Sequence, residues 1–152
     1  MKARDIMTAE PACCTQDDTI EEAARLMEEN DCGCIPVVER HSGSVVGVIT
    51  DRDIAVRAVR RRRGSETPVR EVMTETPFCC STDSELFEVE QLMSDRQLRR
   101  VPIVDDTGSC VGIVAQADLA RAAGFSAEVT DDEVGRVVER ISEPGSSSEL
   151  RA

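Results

Sequence analysis

Apolar positions along the chain follow two spacings, and the switches between them mark its elements. Ile20, Ala23, Ala24 and Met27 recur three and four apart, which places them on one face of a helix. Thr19 and Glu22 form a capping box at its start, and the pattern stops near Asn30 and Asp31. Two short apolar runs follow, over 34–39 and 45–49, separated by the polar turn Arg40-His41-Ser42-Gly43, and they read as a hairpin. A second helix is expected over 51–61. Ahead of these, residues 3–8 read as a short leading helix and 11–15 as a short strand. The order then recurs: a short helix over 68–73, a strand over 77–81, and a helix face at Leu86, Val89 and Met93. Strands are expected over 98–104 and 110–114 around the turn Asp105-Asp106-Thr107-Gly108, followed by a helix over 116–123. Thr130 and Glu133 open one more helix, with Val134, Val137, Val138 and Ile141 on a single stripe; from Pro144 on, the composition predicts disorder.

The junction Gly47-Val48-Ile49-Thr50-Asp51-Arg52-Asp53 carries the most chemistry. An apolar run ends in a residue whose hydroxyl can cap a helix, and Asp53 can return a bond. A strand that runs straight into a helix N-terminus suits an anion, and Gly47 leaves room for close backbone approach. Read alone, this is a strand followed by a capped helix. However, Gly112-Ile113-Val114-Ala115-Gln116-Ala117-Asp118 repeats it. Met7-Thr8, Pro11, Cys13-Cys14, Asp17 and Leu26-Met27 also return, as Met73-Thr74, Pro77, Cys79-Cys80, Asp83 and Leu92-Met93. Ile35-Pro36-Val37-Val38 returns as Val101-Pro102-Ile103-Val104. The offset is 66 residues early and 65 late.

Two units of this form resemble a tandem pair of CBS domains, the family named after cystathionine β-synthase. The resemblance covers about residues 3–122 and departs at Ala115, where a Thr is expected. It implies an α/β fold of two pseudo-symmetric β-α-β-β-α repeats forming one module, to which the sequence adds a C-terminal helix. The boundaries are then 1–62 for repeat 1, 63–66 for a linker, 67–124 for repeat 2, 125–142 for the added helix and 143–152 for a tail. The resemblance also implies two composite clefts for an adenosyl ligand: AMP, ADP, ATP, NAD or S-adenosylmethionine. Carried onto this chain, cleft A takes Thr50 and Asp53 with Thr74, Cys79, Leu98, Arg99 and Arg100. Cleft B takes Asp118 with Thr8, Cys13, Gly33 and Cys34, with Ala115 in place of a hydroxyl. The carboxylates would hold the ribose hydroxyls, Thr50 would face phosphate, and Arg99 or Arg100 would add positive charge. Cleft A, with its hydroxyl and cations, is expected to bind more tightly than cleft B.

Composition narrows the rest. With Lys+Arg 18 against Asp+Glu 30, the net charge is −12, which argues against general nucleic-acid binding. The run Arg60-Arg61-Arg62-Arg63 keeps a DNA-associated regulator open, although a solvated helix end explains it as well. Trp and Tyr are absent and Phe numbers three, so the core is aliphatic, with Met and Cys. No apolar stretch approaches the roughly 20 residues that cross a bilayer, and the start lacks a signal-peptide pattern, so a cytoplasmic location is expected. Seven cysteines without a secretion signal argue against a disulfide scaffold. They read as buried structural residues, with a soft-metal or redox role for Cys32 and Cys34 as the alternative. His41 falls in a turn, and no base and nucleophile are recognisable together, so no enzyme, catalytic cofactor or metal is expected. Apolar surface left over, including the C-terminal stripe, predicts a homodimer acting on an unidentified effector protein. A purely structural dimerisation module with empty clefts is the main alternative.

Overall fold

The computed structural model describes residues 1–75 and 78–124. In chain order, the elements are α1 (Ala3–Ile6), β1 (Thr8–Ala9), β2 (Cys14–Thr15), α2 (Ile20–Glu29), β3 (Cys34–Val38) and β4 (Val45–Thr50). One α-helical turn, α3 (Asp51–Asp53), continues as a π-helical stretch over Ile54–Val59, and a 3₁₀ turn spans Val69–Glu71. Then come β5 (Thr74–Glu75), β6 (Cys80–Ser81), α4 (Leu86–Arg96), β7 (Arg100–Val104), β8 (Cys110–Ala115) and α5 (Gln116–Ala123). The expected C-terminal helix and tail lie outside the described residues. Among the described residues, no helix is long and apolar enough to cross a membrane.

The architecture is α/β, with two four-stranded mixed sheets ordered β1-β8-β7-β6 and β2-β3-β4-β5. Each sheet draws one strand from the leader of the other sequence repeat. β1 pairs antiparallel with β8, Thr8 opposite Ile113, and β5 pairs antiparallel with β4, Thr74 opposite Val48. The compact units therefore cut across the repeats. One, the Asp118 unit, holds Met1–Ala9, Phe78–Asp106 and, among the described residues, 111–124. The other, the Asp53 unit, holds, among the described residues, 10–75 and Thr107–Cys110.

Each unit has its own aliphatic core. In the Asp53 unit, Ile20, Ala23 and Met27 of α2 meet Ile35, Val37 and Ile49 of the sheet, and Val69, Val72 and Met73 of the leader complete the cluster. In the Asp118 unit, Leu86, Val89 and Met93 of α4 meet Val101, Ile103 and Val114, together with Ala3 from α1. The helical spacing seen in the sequence thus marks the buried face of both long helices, except at Ala24, which is exposed while Leu26 packs partly buried against the core. α2 is capped as its sequence indicates: Thr19 Oγ1 accepts from the Glu22 N–H at 3.2 Å, and Glu22 Oε2 accepts from the Thr19 N–H at 3.2 Å.

The helix expected over 51–61 is corrected in one respect. After a single α turn it widens, and the Arg60 N–H bonds to the Ala55 carbonyl five residues back, at 2.9 Å. Along this stretch the Arg57 guanidinium reaches across to the carbonyls of Val72 and Met73, at 3.3 and 3.0 Å. Those two bonds tie the wide turn to the leader that carries β5. His41 is exposed in the β3–β4 turn. The Glu39 carboxylate there accepts the backbone N–H groups of Ser42 and His41, which hold its pKa down to about 2.

Candidate functional site

The Thr50 junction folds as a strand running into a helix start. Thr50 sits at φ −115° and ψ 162°, its Oγ1 accepts from the Asp53 N–H at 3.0 Å, and Asp53 Oδ2 accepts from the Thr50 N–H at 3.0 Å. Both side chains are buried, at 4% and 3% exposure. The Thr74 hydroxyl on β5 donates to Asp53 Oδ1 and Oδ2 at 3.2 and 3.4 Å, and Arg57 Nε lies 3.8 Å from Oδ1. A buried carboxylate is costly unless it is bonded and paired, and here three groups satisfy one: the Thr50 N–H, the Thr74 hydroxyl and the Arg57 guanidinium. Gly47 has a reason beyond the one its sequence suggested. A Cβ at Gly47 would lie 2.5 Å from the Thr74 carbonyl oxygen, so the close approach it permits is that of β5.

The second junction repeats this geometry with two differences. Ala115 has nearly the same backbone, φ −104° and ψ 160°, and Asp118 Oδ2 accepts from its N–H at 2.7 Å, but no hydroxyl caps the helix. The cation at this carboxylate comes from Arg121, which bonds Asp118 Oδ1 while its own side chain is 70% exposed. Asp118, Arg121, Thr8, Met7 and Ile6 line a cavity of about 480 Å³ in this unit. Its walls combine apolar surface, a hydroxyl, the carboxylates of Asp5 and Asp118, and a guanidinium.

The residues expected for each cleft are divided between the units. The Asp53 unit brings Thr50, Asp53 and Thr74 together and also holds Cys13, Gly33 and Cys34. Cys34 pairs with Thr50 across β3 and β4, and the Gly33 carbonyl accepts from the Asp51 N–H at 3.0 Å. The Asp118 unit holds Thr8 and Asp118 with Cys79, Leu98, Arg99 and Arg100. The Arg99 carbonyl accepts from the Gln116 N–H at 3.0 Å, the same placement as Gly33 at the other junction, and the side chains of Arg99 and Arg100 are exposed. Arg57 and Arg121 were missed by sequence reasoning. The signal was there in their spacing, four and three residues beyond an Asp on a helix, where side chains meet.

The cysteine pairs face as the strand alternation predicts: Cys14 and Cys80 are buried at 2% and 8%, while Cys13 and Cys79 are half-buried. Burial pushes the Cys14 thiol up to about 12 and raises that of Cys80 as well. Cys32 is exposed and donates to the Cys34 carbonyl at 3.7 Å. Among the described residues, no three His, Cys, Asp or Glu side chains converge in a way that would hold a metal ion.

A family model of the CBS domain matches residues 3–59 and 69–124. The chain belongs to the CBS domain family. The CBS domain-containing protein YhcV of Bacillus subtilis (strain 168) is 44% identical over 117 residues, covering 77% of this chain and 81% of the relative. The CBS domain pair of protein MJ0100, in complex with 5'-methylthioadenosine and S-adenosyl-L-methionine, matches with a TM-score of 0.72 and 30% identity over 82% of this chain and 96% of that one. Hypoxic Response Protein I, solved with two coordinated zinc ions, matches with a TM-score of 0.71 and 31% identity over 80% of this chain and 98% of that one. In this CBS pair, the two strand–helix junctions are the Thr50 and Ala115 sites just described.

Proposed function

We propose that the chain is a non-catalytic regulatory module of the cytoplasm that binds an adenosyl ligand, such as AMP, ADP, ATP, NAD or S-adenosylmethionine. One observation carries the reading: a buried aspartate at a strand–helix junction occurs in each unit, bonded by Thr74 of β5 in one and lining a cavity with Thr8 of β1 in the other. Asp53 and Asp118 accept the ribose hydroxyls, and the charge on the acceptor makes those bonds the stronger kind. Thr50 with α3 on one side, and α5 with Arg121 on the other, face the phosphate end. Cys79, Leu98, Arg99 and Arg100, and Cys13, Gly33 and Cys34, remain the candidates for the adenine and for the tail. The expected ranking rested on a hydroxyl and on cations at the Asp53 site. Arg121 supplies a cation at Asp118, so the missing hydroxyl of Ala115 is the difference that remains. The signal is a shift in the protein's conformational population on binding, passed to an effector protein by a homodimer.

Calorimetry with an adenosyl panel tests this. Asp53→Asn and Asp118→Asn keep the side-chain volume and one acceptor oxygen while removing the charge. Each should weaken one binding event by at least about tenfold, the loss of one charge-assisted bond. Wild type that binds no adenosyl compound would sink the proposal in favour of a structural module with empty clefts. Equal binding by wild type and both variants would sink the assignment of the two aspartates.

A further inference from the structure

The two buried aspartates differ in how their arginines are held. Arg57 Nε lies 3.8 Å from Asp53 Oδ1, but Arg57 Nη1 donates to the carbonyls of Val72 and Met73 at 3.3 and 3.0 Å. Those two bonds fix the Arg57 guanidinium independently of the carboxylate. Arg121 has no such anchor. Among the described residues its side chain bonds Asp118 Oδ1 alone, and it is largely exposed. Asp118 is buried, and its Oδ2 accepts from the Ala115 N–H at 2.7 Å. Asp118 and Arg121 line their cavity together with Asp5, Ile6, Met7 and Thr8.

We propose that Arg121 makes the Asp118 cavity specific for an adenosyl ligand that bears a 5′-phosphate, by releasing the aspartate to the ribose and closing on the phosphate. The inference rests on the reading under Proposed function and narrows it at one of the two junctions. A guanidinium that already satisfies Oδ1 competes with a ribose hydroxyl for that oxygen. An adenosyl ligand without an anionic tail must displace it and offers it nothing in return. Separating a buried carboxylate from its cation is costly. A 5′-phosphate repays that cost, because its oxygens match the planar fork of the guanidinium and the bond is charge-assisted on both sides. The exchange needs only a turn of the Arg121 side chain, which its exposure leaves free to move.

Two further features of the cavity act on the same ligand end. No side chain caps the first turn of α5, so the amide groups there add to the attraction for an anion. Asp5 acts in the opposite sense. Its carboxylate accepts the Lys2 N–H at 2.7 Å and puts a second negative charge in the cavity wall. The guanidinium must therefore outweigh Asp5 for a phosphate to be held, which gives each residue its own signature in binding. S-adenosylmethionine carries a sulfonium where a nucleotide carries its phosphate, so it leaves the guanidinium facing a like charge.

Calorimetry on the full chain carrying Asp53→Asn sets the Asp118 event apart, with adenosine, AMP and S-adenosylmethionine as probes. AMP should bind at least about tenfold more tightly than either of the others, the worth of one charge-assisted contact. Adding Arg121→Gln should weaken AMP by at least about tenfold, while adenosine binds no more weakly than before. A residue that merely holds the fold would lose both ligands together. Asp5→Asn keeps an acceptor for the Lys2 N–H and removes the opposing charge, so AMP should tighten about two- to fivefold with adenosine unchanged. The proposal is overturned if Arg121→Gln weakens adenosine and AMP alike, if the preference for AMP survives it, or if S-adenosylmethionine binds this event as tightly as AMP. In each of those outcomes the adenosyl reading stands. Wild type that binds none of the three sinks both.

Discussion

At position 115 the second junction lacks one oxygen atom that the first possesses. Thr50 and Ala115 share backbone angles to within 11° in φ and 2° in ψ, and the aspartate three residues on returns the same bond in both. A hydroxyl grafted at 115 would therefore find an N–H already in position. Ala115→Thr should stabilise the chain by about 1 kcal/mol, the usual worth of an N-cap hydroxyl, seen as a higher urea midpoint with an unchanged slope. A midpoint equal to or below wild type would show that the Asp118 cavity cannot accept the branched side chain. The roles of Thr50 and Asp53 were legible in sequence because a capping box is local, written within four residues. The Cys110 N–H bond to the Gly43 carbonyl was not, because 66 intervening residues carry no sign of it. Arg57 and Arg121 fell between these cases: their spacing was visible, but only the bonded geometry shows that they pair with the buried carboxylates.

Elements were legible in proportion to their length. α2, α4, β3, β4, β7 and β8 each carry enough residues to display a period, and they appear where the pattern put them. β1 and β5 have two residues each, and two residues show no alternation. Their partners could not be read, which is why the crossing of the leaders between sheets emerges only from the fold. The glycines facing them were nonetheless in view. A Cβ at Gly47 would meet the Thr74 carbonyl oxygen at 2.5 Å, whereas one at Gly112 would meet the Met7 side chain, with Cγ at 2.9 Å. Backbone cannot yield without moving β5 and the Thr74 hydroxyl that bonds Asp53, but an unbranched methionine can change rotamer. Gly47→Ala should then cost about 2–3 kcal/mol and Gly112→Ala less than about 1 kcal/mol, read from urea denaturation of both variants. The reverse order would mean that β1, not β5, is the more rigidly held strand.

For the whole molecule, charge and exposed apolar surface point in opposite directions. The net charge of −12 makes two copies repel at low salt. Against that, Val56, Val59 and Phe87 are 45%, 68% and 69% exposed, and the sequence adds the stripe of Val134, Val137, Val138 and Ile141. Buried apolar area is the dominant favourable term in most associations, and closed two-fold pairs are the commonest result. Light scattering should therefore report twice the chain mass of 16.6 kDa at micromolar concentration. Salt decides which force joins the copies. Screening removes the repulsion but leaves apolar contact intact, so the dimer should persist or strengthen as ionic strength rises. A mass near 16.6 kDa at every concentration and salt would end the homodimer proposal. A dimer that forms at low salt and separates as salt is added would point instead to the Arg60-Arg61-Arg62-Arg63 run of one copy meeting the acidic surface of another, and the apolar account would be wrong.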